Sequence, residues 1–239
     1  RRRITSTVQG RAAGASDVYK SQVQLNFFTN VSHELRTPLT LITGPLEIIL
    51  KNEVLSDKLK RSLNMIKKNS DRMQRLVGQI LDFSKIQDNK MRLRVQRINI
   101  VSFTQDIVGH FMGIATERHI TLTFSPAFPS CYLWFDEDKI EKVIFNLLSN
   151  AFKYTPDHKM IQVSVTETAE TVSIRVTDQG TGILKDKLDS IVNRFENLIP
   201  QNGYGTMSSG IGLSLAKELT EMHQGNISVE SEKGIGSTF

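Results

Sequence analysis

One cysteine, Cys131, stands among 239 residues. That excludes an internal disulfide framework and fits a reducing compartment. The five histidines (His33, His110, His119, His158, His223) show no ligand spacing, so a metal centre built on Cys or His clusters is excluded as well. No apolar run is long enough to span a bilayer. No N-terminal segment has the make-up of a signal peptide. Net charge is +5, but apart from Arg1–Arg3 the positive residues are scattered, without a basic stripe interleaved with aromatics. Direct nucleic-acid binding is therefore not expected. Internal repeats are lacking too.

What is present is a composition that is 39% hydrophobic and 23% charged, enough for one large domain or two small ones. Residues 1–16 show no periodicity and include "GRAAGAS", which reads as a linker or an expression remnant. Leu25, Phe28, Ser32, Leu35, Leu39, Ile42, Leu46 and Ile49 then step by threes and fours, a heptad seam. "NEVLSD" interrupts it, with Ser56 as an N-cap. A second seam runs through Leu59, Leu63, Ile66, Ser70, Met73, Val77 and Ile80. Two such helices form an antiparallel hairpin. A lone hairpin cannot bury both seams, so a homodimer closing a four-helix bundle is expected over residues 17–90.

From residue 91 to 239 the texture becomes α/β. "INIVSFTQDIVGHFMGIATERHI" reads as one helix; "TLTFS" and "CYLWF" read as strands. Asp136 opens the next helix, "DEDKIEKVIFNLLSNAFKYT". "MIQVSVTET" and "TVSIRVTD" alternate as strands. "GIGLSLAKELTEMHQG" is a helix closed by Gly225 at C′, and "NISVES" and "GSTF" are short strands. The fold class expected is α+β: the helical hairpin, then an α/β sandwich with a mixed sheet and helices on one face. The last strand is expected to be truncated after Phe239.

"FFTNVSHELRTPLTLI" puts His33 at the edge of the first seam with Glu34 beside it. A neutral imidazole offers one nitrogen lone pair to a phosphoryl group, and a neighbouring carboxylate can hold the other proton. Thr37 lies one turn on, on the same face. Pro38 removes a backbone hydrogen bond and loosens or bends the helix at Glu34. Spacing alone leaves a second reading open, a solvated histidine beside a surface glutamate.

In the second half, Lys142, Asn146, Asn150 and Lys153 form a stripe separate from the apolar face of their helix. Amide oxygens are hard ligands that suit a hydrated Mg²⁺, and lysine supplies a point charge for phosphate. Tyr154 can stack on a base. Read alone, the stripe is more readily a polar solvent face. "TVSIRVTDQGTGI" ends a strand on Asp178-x-Gly180-x-Gly182, where a carboxylate can accept from an exocyclic amine and glycines admit a flat ring. "SSGIGLSLAKEL" sets Gly210 and Gly212 at a helix start, a position that favours phosphate. No strand precedes that G-x-G in a βαβ unit, so a dinucleotide fold is excluded.

These stretches resemble the core of two-component sensor histidine kinases. "SHELRTPLT" is similar to their H-box, and "FFTNVSHELRTPLTLITGPLE" to that of hybrid members carrying receiver and DNA-binding modules. "NLLSNAFKYT", "DQGTG", "NRFENL" and "SSGIGLSL" are similar, in order, to the N, G1, F and G2 boxes of the GHKL ATPase fold. The likeness spans residues 20–239. It implies that His33 is phosphorylated by ATP, with Glu34 as base, and that Thr37 helps position water when a phosphorylated response regulator is dephosphorylated. It implies ATP at Asn146, Asn150, Lys153, Tyr154, Asp178, Gly180, Gly182, Arg194, Phe195, Gly210, Gly212 and Leu213, with Asn150 on Mg²⁺. Residues 199–209 would be the lid, with Ser208 standing where the family has glycine. The implied partners are a second copy, a receiver domain and an upstream sensor. The implied location is the cytoplasmic part of a receptor anchored in a bacterial inner membrane. Two rival readings are a non-catalytic dimerisation and docking module with a degenerate nucleotide site, and a GHKL ATPase without phosphotransfer.

Overall fold

The computed structural model describes residues 35–51, 55–88, 90–186, 188 and 211–239. The chain divides into two compact units, Arg1–Met91 and Arg92–Phe239.

In the first unit, helix α1 (residues 35–50) runs without a break across Pro38 and Pro45. Thr40 and Thr43 donate their hydroxyls back to the Arg36 and Leu39 carbonyls (3.0 and 2.7 Å). Helix α2 (Asp57–Gln87) starts where Ser56 accepts from the Leu59 N–H, the cap that the sequence pointed to. The two helices meet through Leu39, Val77 and Leu81. A polar tie joins them as well: Gln74 Nε2 donates to the Thr43 hydroxyl (3.0 Å). The expected seam splits into two columns of heptad spacing. Leu39 and Leu46 are buried, whereas Leu35, Ile42 and Ile49 are exposed. On α2, Ser70 and Val77 are buried, whereas Leu59, Ile66 and Met73 are exposed.

The second unit has a five-stranded mixed sheet. Its strands are β2 (Thr121–Pro126), β4 (Met160–Glu167), β5 (Val172–Asp178), β6 (Glu230–Glu232) and β7 (Gly236–Thr238), in the order β2-β4-β5-β7-β6. Only β2 and β4 pair in parallel. A two-stranded antiparallel ribbon joins β1 (Gln96–Asn99) to β3 (Tyr132–Phe135). The expected long helix over 98–120 is instead the end of β1 followed by α3 (Ile100–Gly109) and α4 (Met112–Glu117). Asn99 accounts for the difference: its side chain caps Val101 N–H (3.2 Å) and also accepts from Cys131 N–H (3.1 Å), fixing strand end and helix start together.

Helix α5 (Glu137–Tyr154) is capped by Asp136 and buries Val143, Ile144, Leu147, Leu148, Ala151 and Phe152. Ile161, Val163, Val165 and Val176 of β4 and β5 are wholly buried. Burying each such side chain is worth about 1.5–3 kcal/mol. Helix α6 (Ile211–Met222) packs along α5 and buries Leu213, Leu215, Ala216 and Leu219. Its C-terminus departs from expectation. Gln224, not Gly225, takes the left-handed conformation (φ 62°). Gly225 donates to the Thr220 carbonyl, and a Cβ there would come within 2.9 Å of the Thr220 methyl, so close approach rather than dihedral freedom requires glycine. Residues 226–229 of the expected strand "NISVES" are not in a strand. No described helix is long and apolar enough to cross a membrane.

Candidate active site

Helix α5 sets one wall. Its apolar face lies on the sheet and its acidic first turn suits the positive helix end. The stripe emerges along its edge: Lys142, Asn146 and Asn150 are half-buried, and Lys153 and Tyr154 are exposed at the C-terminal end. Lys142 is held by Asp138 (3.1 Å). Burial alone would push Asp138 up, yet Lys139 and Lys142 bring its carboxyl below the ordinary value. Lys153 Nζ sits 4.9 Å from the centre of the Tyr154 ring.

The second wall is the loop that leaves β5. Asp178 is 5% exposed and accepts from Gly180 N–H at 2.8 Å. Burial raises its pKa above the usual carboxylate value, and the backbone N–H groups of Gly180 and Ser237 pull the other way. The loop abuts the end of α5, because Thr181 N–H donates to the Tyr154 carbonyl (3.2 Å). A Cβ on Gly180 would lie 2.7 Å from that same carbonyl and 2.5 Å from Asp178 Oδ1. Gly182 has φ +59° and passes so close to the Glu232 carbonyl that a Cβ would fall 1.9 Å from its oxygen. The Asp178–Gly182 loop is thus joined on one side to Tyr154 and on the other to Glu232, both distant in sequence.

The strands β6 and β7 brace this joint, a contribution that sequence reasoning missed. Ser231 Oγ accepts from Ile183 N–H (2.9 Å), donates to the Gly236 carbonyl (2.7 Å) and lies 2.9 Å from Ser237 Oγ. The only signal for it was the G-x-G at 234–236 between two short strands. Another feature missed is the Thr155 hydroxyl, which is buried at the end of α5 with no hydrogen-bond partner among the described residues.

Of the other expected site residues, Gly212 is half-buried and Leu213 buried in the first turn of α6. Thr37 is exposed on α1. His33, Glu34, Arg194, Phe195, Gly210 and the expected lid at 199–209 lie outside the described residues. Among the described residues no group of three or more His, Cys, Asp or Glu side chains is placed to hold a metal.

The family model of the histidine kinase-, DNA gyrase B-, and HSP90-like ATPases matches residues 135–239. That of the His Kinase A (phospho-acceptor) domain matches residues 23–89. The chain is similar to histidine kinase P4 of Formosa agariphila, at 36% identity over 223 residues covering 92% of this chain. It spans 16% of that relative's length. Among solved structures it is similar to full-length ShkA in complex with AMPPNP, with a TM-score of 0.71 and 22% identity, covering 90% of this chain and 44% of ShkA. It is also similar to histidine kinase ThkA in complex with the response regulator protein TrrA, with a TM-score of 0.61 and 22% identity, covering 95% of this chain and 64% of that one. These two likenesses are of fold.

Proposed function

The chain belongs to the two-component histidine kinases, whose phospho-acceptor and ATPase domains it carries, and on that premise we propose that it transfers the γ-phosphoryl group of ATP to His33 and then to an aspartate of a response-regulator receiver domain. The observation that carries the reading is the joint between α5 and the β5 loop. It offers a buried carboxylate, backbone without side chains beside it, and a lysine and an aromatic ring on the adjoining helix turn. Those groups fit a nucleotide.

Asp178 accepts from the exocyclic amine of adenine, and Gly180 and Gly182 let the backbone meet the base plane. Lys153 meets phosphate charge. Asn146 and Asn150 offer amide oxygens, Asn150 to Mg²⁺, which when bound neutralises charge on the phosphates. Gly210, Gly212 and Leu213 present the start of α6 to phosphate, and Arg194 and Phe195 close the site. A ring nitrogen of His33 attacks the γ-phosphorus as the bond to the ADP oxygen breaks. Glu34 takes the proton from the other nitrogen. Catalysis is then mainly positioning plus charge neutralisation. In the second step the P–N bond breaks as an aspartate carboxylate on the receiver takes the phosphoryl group. In the phosphatase reaction Thr37 helps position a water that attacks the phosphoaspartate of the regulator, releasing inorganic phosphate and the free carboxylate. A homodimer through the hairpin covers the exposed columns Leu35-Ile42-Ile49 and Leu59-Ile66-Met73. Attachment of the longer protein to a bacterial inner membrane is proposed on resemblance alone.

Incubation with Mg²⁺ and ATP labelled at the γ-phosphate tests the reading. Acid-labile, base-stable label is expected on the wild-type chain and none on His33→Ala. Full labelling of His33→Ala overturns the assignment. ATP hydrolysis without a phosphorylated intermediate favours a GHKL ATPase instead, and absence of both label and hydrolysis favours a docking module.

A further inference from the structure

Arg118 is the C-cap of α4, 28 residues before the Asn146 of the nucleotide helix in sequence, yet its side chain ends against the last turn of α5. Nε donates to Asp157 Oδ1 at 2.8 Å. One terminal nitrogen donates to the Phe152 carbonyl and the other to the Thr155 carbonyl, the latter at 2.7 Å. Carbonyls in a helix's final turn have no partner within the helix, so these bonds satisfy acceptors that would otherwise be left over. The cation also suits the negative end of the helix dipole.

The surrounding backbone is bent to bring this about. His119 and His158, the neighbours of Arg118 and Asp157, both adopt left-handed conformations (φ 53° and 64°). Such a conformation is uncommon for a non-glycine residue, though histidine is among those that adopt it most readily. Their rings stack at 5.0 Å with 12° between planes, and His158 N–H donates to the Arg118 carbonyl (3.3 Å). Two corners of the chain are therefore buckled together, and the guanidinium is the pin. On its other side the same helix turn is held by Thr181 N–H at the Tyr154 carbonyl. Lys153 and Tyr154 are the two residues between the carbonyls that Arg118 binds.

We propose that Arg118 is a positioning residue for nucleotide binding: by fixing the Phe152 and Thr155 carbonyls it sets the place of Lys153 and Tyr154 beside the Asp178 loop. This rests on the nucleotide reading given above. The planar fork of arginine spans two carbonyls and a carboxylate at once, whereas a lysine ammonium is a point donor. Charge alone therefore does not substitute for it.

Calorimetric titration of the full chain with ATP and Mg²⁺ tests this on wild type, Arg118→Lys, Lys153→Ala, the double variant and Asp178→Asn. Arg118→Lys is expected to melt cooperatively and to bind ATP about tenfold more weakly, the scale on which lost supporting contacts weaken a bound site. In the Lys153→Ala background the same change is expected to cost much less, because the two residues act on one interaction. Wild-type affinity in Arg118→Lys overturns the proposal, as do independent, multiplying losses in the double variant. Should Arg118→Lys fail to fold, Arg118→Gln takes its place: its amide can donate to only one of the two carbonyls, weaker ATP binding is expected, and unchanged affinity overturns the proposal. If the wild type binds no ATP, the nucleotide reading fails and takes this inference with it. If the wild type binds, Asp178→Asn does not, and Arg118→Lys is unaffected, only the role of Arg118 falls.

Discussion

Asp178 is costly to keep charged where it stands. Its folded pKa lies above the unfolded value because burial outweighs two backbone donors. For an acid raised in this way, the folded state loses stability as pH climbs above the unfolded carboxylate pKa, and the loss is complete once pH has passed the folded pKa. Asp178→Asn keeps an acceptor oxygen for the Gly180 N–H without the charge. The variant is expected to melt at or above the wild-type temperature at neutral pH, with that advantage vanishing once pH falls below the unfolded carboxylate pKa. It is expected to lose adenine-nucleotide binding at the same time. Thermal melts across the acid range, paired with titration, check both. Gly182→Ala carries the opposite sign: strain at φ +59° plus collision with the Glu232 carbonyl is expected to lower stability by about 2–4 kcal/mol, read by denaturant unfolding. The turn that gathers these residues was legible as glycines after a strand end, but their assignment to a nucleotide came from the resemblance of the ordered boxes, because a lone D-x-G-x-G also fits a plain strand-ending turn. Ser231 and Arg118 were not legible. Serine and arginine are ordinary surface types, and each acts on a partner that only the fold brings near.

Element boundaries were read well where a side chain caps its own helix and poorly where the cap answers to a distant strand. Ser56 and Asp136 belong to the first kind. Asn99 belongs to the second, since its side-chain oxygen serves both α3 and the chain at Cys131. Asp136 does more than cap. Its second oxygen accepts from Arg94 N–H (2.7 Å), and its own N–H donates to His223 Nε2 (3.1 Å), tying the start of α5 to the segment before β1 and to the end of α6. Asp136→Ala is therefore expected to destabilise by about 2–3 kcal/mol, more than a cap alone contributes, in chemical denaturation. Pairing of β1 with β3 also sets Arg97 4.9 Å over the Tyr132 ring and opposite Trp134, whose side chain is 70% exposed. Reading along the chain found no aromatic interleaved with basic residues, because the juxtaposition exists only across the ribbon.

At the scale of the whole molecule, the heptad register was visible in sequence but its division into covered and bare columns was not. Period alone cannot say which neighbour a column meets; the single chain covers Leu39, Leu46, Val77 and Leu81 and leaves Ile42, Ile66 and Met73 to water. If a second copy covers them, Ile42→Glu is expected to yield monomers in sedimentation equilibrium, and wild-type melting is expected to rise with protein concentration. Comparable sedimentation of the variant and the wild type would count against that pairing. The tight backbone crossing at the β5 loop bears on how such a molecule can diversify. Asp178 is engaged with two N–H groups, Gln179 Oε1 takes the Met160 N–H (3.1 Å), and Gly180 and Gly182 admit no side chain. Thr181, whose side chain is exposed, is the one place in that stretch where new chemistry can be introduced without dismantling the joint. If this joint takes the base as proposed, Thr181 is where library design for a bulkier purine analogue should begin.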